Sequence, residues 1–300
     1  MIKKLYIIGN GFDRYHGVKS DYAQFHKWVK THSHWPYDKF EEYFTVPNEK
    51  LWSALEENMG GFACGRYGRD TTSVKPSSSD AGCTDHVLHL LGKEEMSICN
   101  WRKAMQEALA KWVDTLGCKR SIAHLPIIDD DAFYLTFNYT LMLEDEYKID
   151  PRQILHIHGK KGDESHSLVL GHGGIKDEKG EKKTPLPKNE TLDAVDLAEG
   201  MARDAVHKWK KPVCKLIDLH EELWDKLSDV QAIDVLGFSF GVVDLPYIKK
   251  IADVVPPGVI WRYSWFGENE LQRFRHALNS VGVGNPVAIR LDELCGKKVG

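Results

Sequence analysis

The sequence predicts an α/β fold: a Rossmann-like parallel sheet flanked by helices, with a mainly helical insertion. Three observations predict it. Short, largely apolar runs of strand length occupy residues 5–8, 133–137, 154–158, 168–170, 232–236 and 259–263. Continuous rather than alternating apolar character marks strands buried on both faces of a parallel sheet. Four of the runs lead directly into polar or glycine turns, GNGFD, NYT, HGKKG and GFSFG. Such strand-to-loop junctions are where open α/β sheets hold their ligands. The segments between the runs carry helical spacing.

The elements follow in chain order. After the first strand, a helix is predicted over 21–31, because Tyr22, Phe25, His26 and Val29 share one face and Ser20 or Asp21 can cap it. Residues from about 35 to 125 hold few strand signals and many aromatics, so they read as a helical insertion, with a helix at 98–116. Further helices are predicted at 192–209 and 268–279. Two stretches read as exposed or disordered loops: 65–82, rich in Gly, Ser, Arg and Asp, and 176–190, rich in Lys, Glu and Pro. The second follows the site motifs closely enough to serve as a lid or as a tolerated surface insertion.

The chain has 300 residues, 42% hydrophobic and 28% charged, enough to bury a sizeable core. Its formal net charge of -4 gives no basic excess, which disfavours a nucleic-acid partner. No stretch is long enough to span a bilayer, and the apolar run 5–8 is too short for a signal peptide. Cys64, Cys83, Cys99, Cys118, Cys214 and Cys295 form no CxxC pair. Free thiols in a reducing cytoplasm are expected, rather than disulfides or a four-cysteine zinc site.

Four motifs carry candidate chemistry. In Gly9, Asn10, Gly11, Phe12 and Asp13, a glycine permits a tight turn after a buried strand. A second glycine lets a phosphate approach the main chain, and a helix start offers unpaired N–H groups to an anion. The third glycine of the dinucleotide fingerprint is missing. In Phe137, Asn138, Tyr139 and Thr140, the amide of Asn138 can donate and accept at once, which suits a ribose hydroxyl or a water. In His156, Ile157, His158 and Gly159, strand alternation sets both imidazoles on one face. That leaves open a metal pair, with His166 and His172 nearby, or a base with a neighbour; His156 reads as packed and hydrogen-bonded. The fourth motif is Gly237, Phe238, Ser239, Phe240 and Gly241, with Asp244 beyond. It matches G-x-S-x-G by letters, but Leu245 and Pro246 argue against the immediate helix that a nucleophile elbow needs.

These blocks, in this order, resemble the AbiH family of bacterial phage abortive-infection proteins. The resemblance rests on LYIIGNGFD from Leu5, then His16 and Gly17, LTFNYT from Leu135, LHIHG from Leu155 and LGFSF from Leu236 with Asp244. The same order is similar to a degenerate sirtuin-type NAD site, with Asn138 standing for the sirtuin asparagine and His158-Gly159 for its HG block. The chain departs from sirtuins at Tyr139 and Thr140 and lacks their four-cysteine zinc module, which argues against protein deacylation.

The resemblance implies one sirtuin-related domain over 1–300. It implies a defence protein that binds NAD or a related nucleotide and hydrolyses NAD to nicotinamide and ADP-ribose. Asn138 and His158 would act on the ligand. Gly9, Asn10, Gly11, Phe12, Asp13, Gly237, Phe238, Ser239, Phe240 and Asp244 would hold it, with no metal. Two alternatives stay open: a non-catalytic NAD or ADP-ribose sensor, and a metal-dependent hydrolase or nuclease built on the histidine pair. A phage or defence-system protein as trigger, and a homo-oligomer, remain open as partners.

Overall fold

A computed structural model describes residues 2–32, 40–72, 84–117, 124–163, 168–174 and 194–291, with backbone alone for 84–97 and 194. The chain divides into two compact units. The first comprises 1–24, 110–169 and 212–300; the second comprises 25–109 and 170–211.

The first unit is built on a six-stranded parallel sheet. Its strands are β1 (Lys4–Ile8), β2 (Phe133–Thr136), β3 (Ile154–His156), β4 (Ala232–Leu236), β5 (Ile260–Ser264) and β6 (Val287–Ile289). They lie in the order β3-β2-β1-β4-β5-β6, and every neighbouring pair is parallel. The α/β expectation therefore holds. This is the doubly wound order, in which the chain works outward from β1 in one direction and then in the other. The reversal falls between β1 and β4. Leu5, Tyr6, Ile7 and Ile8 are each at most 1% exposed, so the central strand is covered on both faces.

The two faces of β1 are packed differently. Leu5 and Ile7 join Leu135, Ile233, Val235, Trp261 and Tyr263 in one apolar cluster that also takes in Tyr247, Ile248 and Ile251 of the Leu245–Val254 helix. On the other face Tyr6 stacks on Tyr134 with ring centroids 4.8 Å apart. Their hydroxyls donate to the Ile127 and Asp129 carbonyls of the loop before β2. Asp234, fully buried on the same face, accepts both arms of Arg262 at 2.5 and 2.6 Å. A buried carboxylate requires such pairing.

Several local readings hold. A helix spans Tyr22–His32, buries Phe25 and Val29, and is capped by Asp21, whose carboxylate accepts from the Gln24 amide at 3.0 Å. The late helix spans Glu268–Ser280. Others need correction. Residues 65–72 are not a loop: a helix runs Cys64–Thr72 and buries Cys64, Gly65, Tyr67 and Gly68. Its polar letters face outward while its small and aromatic residues pack. The remainder, 73–82, and the stretch 176–190 lie outside the described residues. Nor is 168–170 a strand. Its one ladder-like bond runs from the Val169 amide to the His158 carbonyl. Strand β6 escaped prediction because Val287–Ile289 is a three-residue edge with an exposed valine.

The second unit is mainly helical among its described residues, and its aromatics explain why. Trp101 packs against Trp209, and Phe62 against Tyr67 and Trp209. Lys211, with no exposed side-chain surface, is neutralised by Glu56 at 2.9 Å. Among the described residues no helix is long and apolar enough to cross a membrane.

Two glycines give opposite expectations for substitution. Gly237 has φ +62°, and a Cβ there would lie 2.0 Å from the Phe12 nitrogen. Gly200, exposed in the Ala194–His207 helix, has nothing within 4 Å. We expect Gly237→Ala to cost about 3 kcal/mol or more and Gly200→Ala to gain about 0.5–1 kcal/mol. Equilibrium denaturation of the two variants checks both signs.

Candidate functional site

The register of the sheet decides what meets at its carboxyl edge. Ile8 pairs with Thr136 on one side and Leu236 on the other. The loops after β1, β2 and β4 therefore emerge side by side, and those loops carry GNGFD, FNYT and GFSFG. The HIHG loop follows β3 on the far side of β2.

The first and last of these turns interlock. The Gly9 amide donates to the Leu236 carbonyl at 3.0 Å, and the Gly11 amide to the Gly237 carbonyl at 2.7 Å. The Phe12 amide turns back to the Gly9 carbonyl at 2.9 Å. A Cβ on Gly9 would meet the Phe238 Cα at 2.6 Å, and one on Gly11 the Gly237 Cα at 2.8 Å. These glycines are thus required by the approach of one turn to the other, and three of the amides expected to face a phosphate are spent within the protein. Phe240 follows at φ +53°, a left-handed backbone unusual for a buried aromatic; its ring is held by Phe238 and Phe274.

Asp13 lies at the centre. It is 1% exposed and belongs to the short helix α1 (Asn10–Tyr15). One carboxylate oxygen accepts from the Asn138 amide at 2.9 Å, and the other accepts from the Thr140 hydroxyl at 2.5 Å. Asn138 also donates to the Gly9 carbonyl at 3.1 Å, and its own backbone amide is held by Thr136 Oγ1 at 3.1 Å. The FNYT loop is therefore tied by two side chains to GNGFD. The Oδ1 of Asn138 is buried and has no hydrogen-bond partner among the described residues.

The two histidines diverge. Strand β3 ends at His156, so alternation does not reach His158, and the expected shared face is corrected. His156 Nδ1 donates to the Asn138 carbonyl at 2.9 Å, and its Nε2 faces Glu144 Oε1 at 3.0 Å. Burial raises the Glu144 carboxyl, but the hydrogen bond and charge of His156 outweigh it and hold the group below the usual carboxylate range. His158, 2% exposed, packs edge-on to Phe137 and near Tyr247. Its Nε2 lies 3.7 Å from Asp244 Oδ1. With separate partners, the two rings are not arranged as one ligand pair, and among the described residues no group of three His, Cys, Asp or Glu is placed to hold a metal ion.

The remaining expected residues take distinct places. Asn10 is exposed, and its side-chain amide donates to the Ser20 carbonyl at 3.0 Å. Phe12 is fully buried against His16 and Tyr147. His16 accordingly packs, bonding Phe12 O at 2.8 Å and the Tyr147 hydroxyl at 2.7 Å; burial lowers its pKa. Ser239 is exposed while Phe238 and Phe240 are buried. Asp244 is the N-cap residue of the Leu245–Val254 helix but makes no side-chain cap bond. Glu144 is the member that sequence reasoning missed. It sits in a one-turn helix, Met142–Asp145, whose letters carry no sign of a partner twelve residues on.

The chemistry of Asp13 gives a pH signature. Burial pushes its carboxyl up from an ordinary 3.8 to about 6, against the hydrogen bonds from Thr140 and Asn138 and the charge of His156. Between those values the folded protein keeps a proton that the unfolded chain has lost. This group's contribution is therefore most favourable at the acid end and declines as pH rises from about 4 to about 6. Relative to Asp13→Asn, the native protein should lose on the order of 3 kcal/mol of stability between pH 4 and pH 7. Urea unfolding at each pH measures this, and a difference that is flat or rises with pH contradicts it.

Comparison with known proteins adds the lineage. No curated protein matches the chain. The family described as Bacteriophage abortive infection AbiH matches residues 5–265. That span covers all of the motifs gathered above. The chain belongs to the AbiH family of bacteriophage abortive-infection proteins.

Proposed function

We propose that this phage-defence protein binds a nucleotide of the NAD class at the carboxyl edge of the sheet, where β1 and β4 part, and hydrolyses its nicotinamide–ribose bond. One observation carries the reading. The order β3-β2-β1-β4-β5-β6 gathers GNGFD, FNYT and GFSFG at the reversal point, with HIHG one strand away. In open α/β sheets that crevice is where ligands bind.

Nicotinamide in NAD is a cationic leaving group. A water adds to the ribose carbon as the carbon–nitrogen bond breaks, its electron pair neutralises the departing ring, and the water's proton goes to His158. Such a reaction depends mainly on orientation and electrostatics. Asn138 orients the ribose hydroxyl or the water. The exposed Asn10 and Ser239 are the polar groups available to the rest of the nucleotide. Asn138 is 6% exposed and His158 2%, so turnover requires the loops to part. A latent enzyme suits a protein that must spare its host until infection.

A second reading is a sensor that holds NAD or ADP-ribose intact. It is favoured by the Asn138 amide, whose N–H groups serve Gly9 and Asp13. Nicotinamide release and calorimetry with NAD separate the two. The hydrolase reading expects release from the wild type, reduced about 100-fold or more by Asn138→Ala and by His158→Ala in protein that remains folded. Binding without release selects the sensor. Neither binding nor release, with or without extract of infected cells, overturns both.

A further inference from the structure

We infer that Asp13 is a positioning residue: it turns the Asn138 amide so that a ligand meets a carbonyl acceptor and not an N–H donor. This rests on the reading of Asn138 as the group that contacts the nucleotide.

Two oxygens face the amide nitrogen. The Gly9 carbonyl lies 3.1 Å from Asn138 Nδ2 and Asp13 Oδ1 lies 2.9 Å from it. Both are acceptors only, so the nitrogen, with its two hydrogens, must be the atom between them. The opposite rotamer would press the amide oxygen against a carboxylate and a carbonyl. Thr140 holds the second carboxylate oxygen at 2.5 Å and so fixes the plane of the Asp13 carboxyl. The His156 ring holds the Asn138 main-chain carbonyl at 2.9 Å, which limits movement of the backbone beneath the amide.

What remains is Asn138 Oδ1, buried and without a hydrogen-bond partner among the described residues. A buried acceptor in that state takes its hydrogen bond from an ordered water or from a ligand donor. The complementary group is a hydroxyl or N–H, and a ribose hydroxyl is such a donor. Asp13 therefore acts through Asn138 rather than on the nucleotide, in contrast to the direct contact that the sequence motif implied.

Two measurements on the full chain test this. In protein labelled with 15N-asparagine, the side-chain pair that disappears in Asn138→Asp identifies Asn138. That pair should exchange with solvent about 100-fold more slowly than an exposed side-chain amide, such as that of Asn279. Its protection should collapse in Asp13→Ala, which removes the acceptor, and weaken in Thr140→Val. Rapid exchange in the wild type, or protection unchanged by Asp13→Ala, overturns the inference whether or not NAD is a ligand.

The second measurement is NAD turnover. Asp13→Ala should abolish it, while Asp13→Asn, which keeps a carbonyl acceptor facing the Asn138 nitrogen, should retain about a tenth or more. A folded Asp13→Asn variant with no turnover contradicts positioning by a hydrogen-bond acceptor. If that variant fails to fold, Thr140→Val decides, since unchanged turnover there also contradicts positioning. A wild type inert toward NAD removes the functional reading and leaves the exchange measurement to settle the amide's orientation.

Discussion

The carboxyl edge of the sheet depends on the contact between Asp13 and Asn138. A carboxylate that is 1% exposed is expensive to keep unless its oxygens are hydrogen-bonded. Asn138 and Thr140 supply those bonds, and the donor groups come from a loop 125 and 127 residues away in sequence. The central strand and its neighbour are thus tied at their ends as well as along their ladder. Through the Asn138 carbonyl the tie reaches His156 and Glu144, so the loops after β1 and β2 and the last residue of β3 form one polar network. Loss of one member would leave the others buried without partners, which is why such networks tend to stand or fall together.

The second constraint is steric. Gly9, Gly11 and Gly237 let the GNGFD and GFSFG turns approach to main-chain contact. Read from the sequence, those glycines are equally compatible with a phosphate against the backbone. In the folded chain the neighbour is another turn. The two readings differ in what fills the space beside a missing Cβ, and that space is defined by residues more than 200 positions away. Asn138 and His158 are buried at the same edge.

Much of the fold was legible because parallel strands announce themselves locally. The five predicted runs that became strands are largely apolar over four or five residues and four of them lead into turn letters, and the Asp21 cap and the Phe25–Val29 face needed only helical spacing. Failures occurred where the deciding partner is distant. Residues 65–72 look like loop by composition, yet Tyr67 and Gly68 pack inside their own unit. His156 and His158 look like a pair two residues apart, but the strand stops between them. In the site, Asn138 and His158 could be singled out from the motifs. The role of Asp13 could not, because a buried carboxylate and an exposed sugar ligand are written with the same letter. Glu144 carries no motif and becomes meaningful only beside His156.

The most direct test of this account is a double-mutant cycle by equilibrium unfolding with Asp13→Ala, Asn138→Ala and the combined variant. If the contact organises the carboxyl edge, the two residues should be coupled by about 1.5–3 kcal/mol at neutral pH, the range for a hydrogen bond to a buried charge. A coupling below about 0.5 kcal/mol, with each single substitution simply additive, would contradict it.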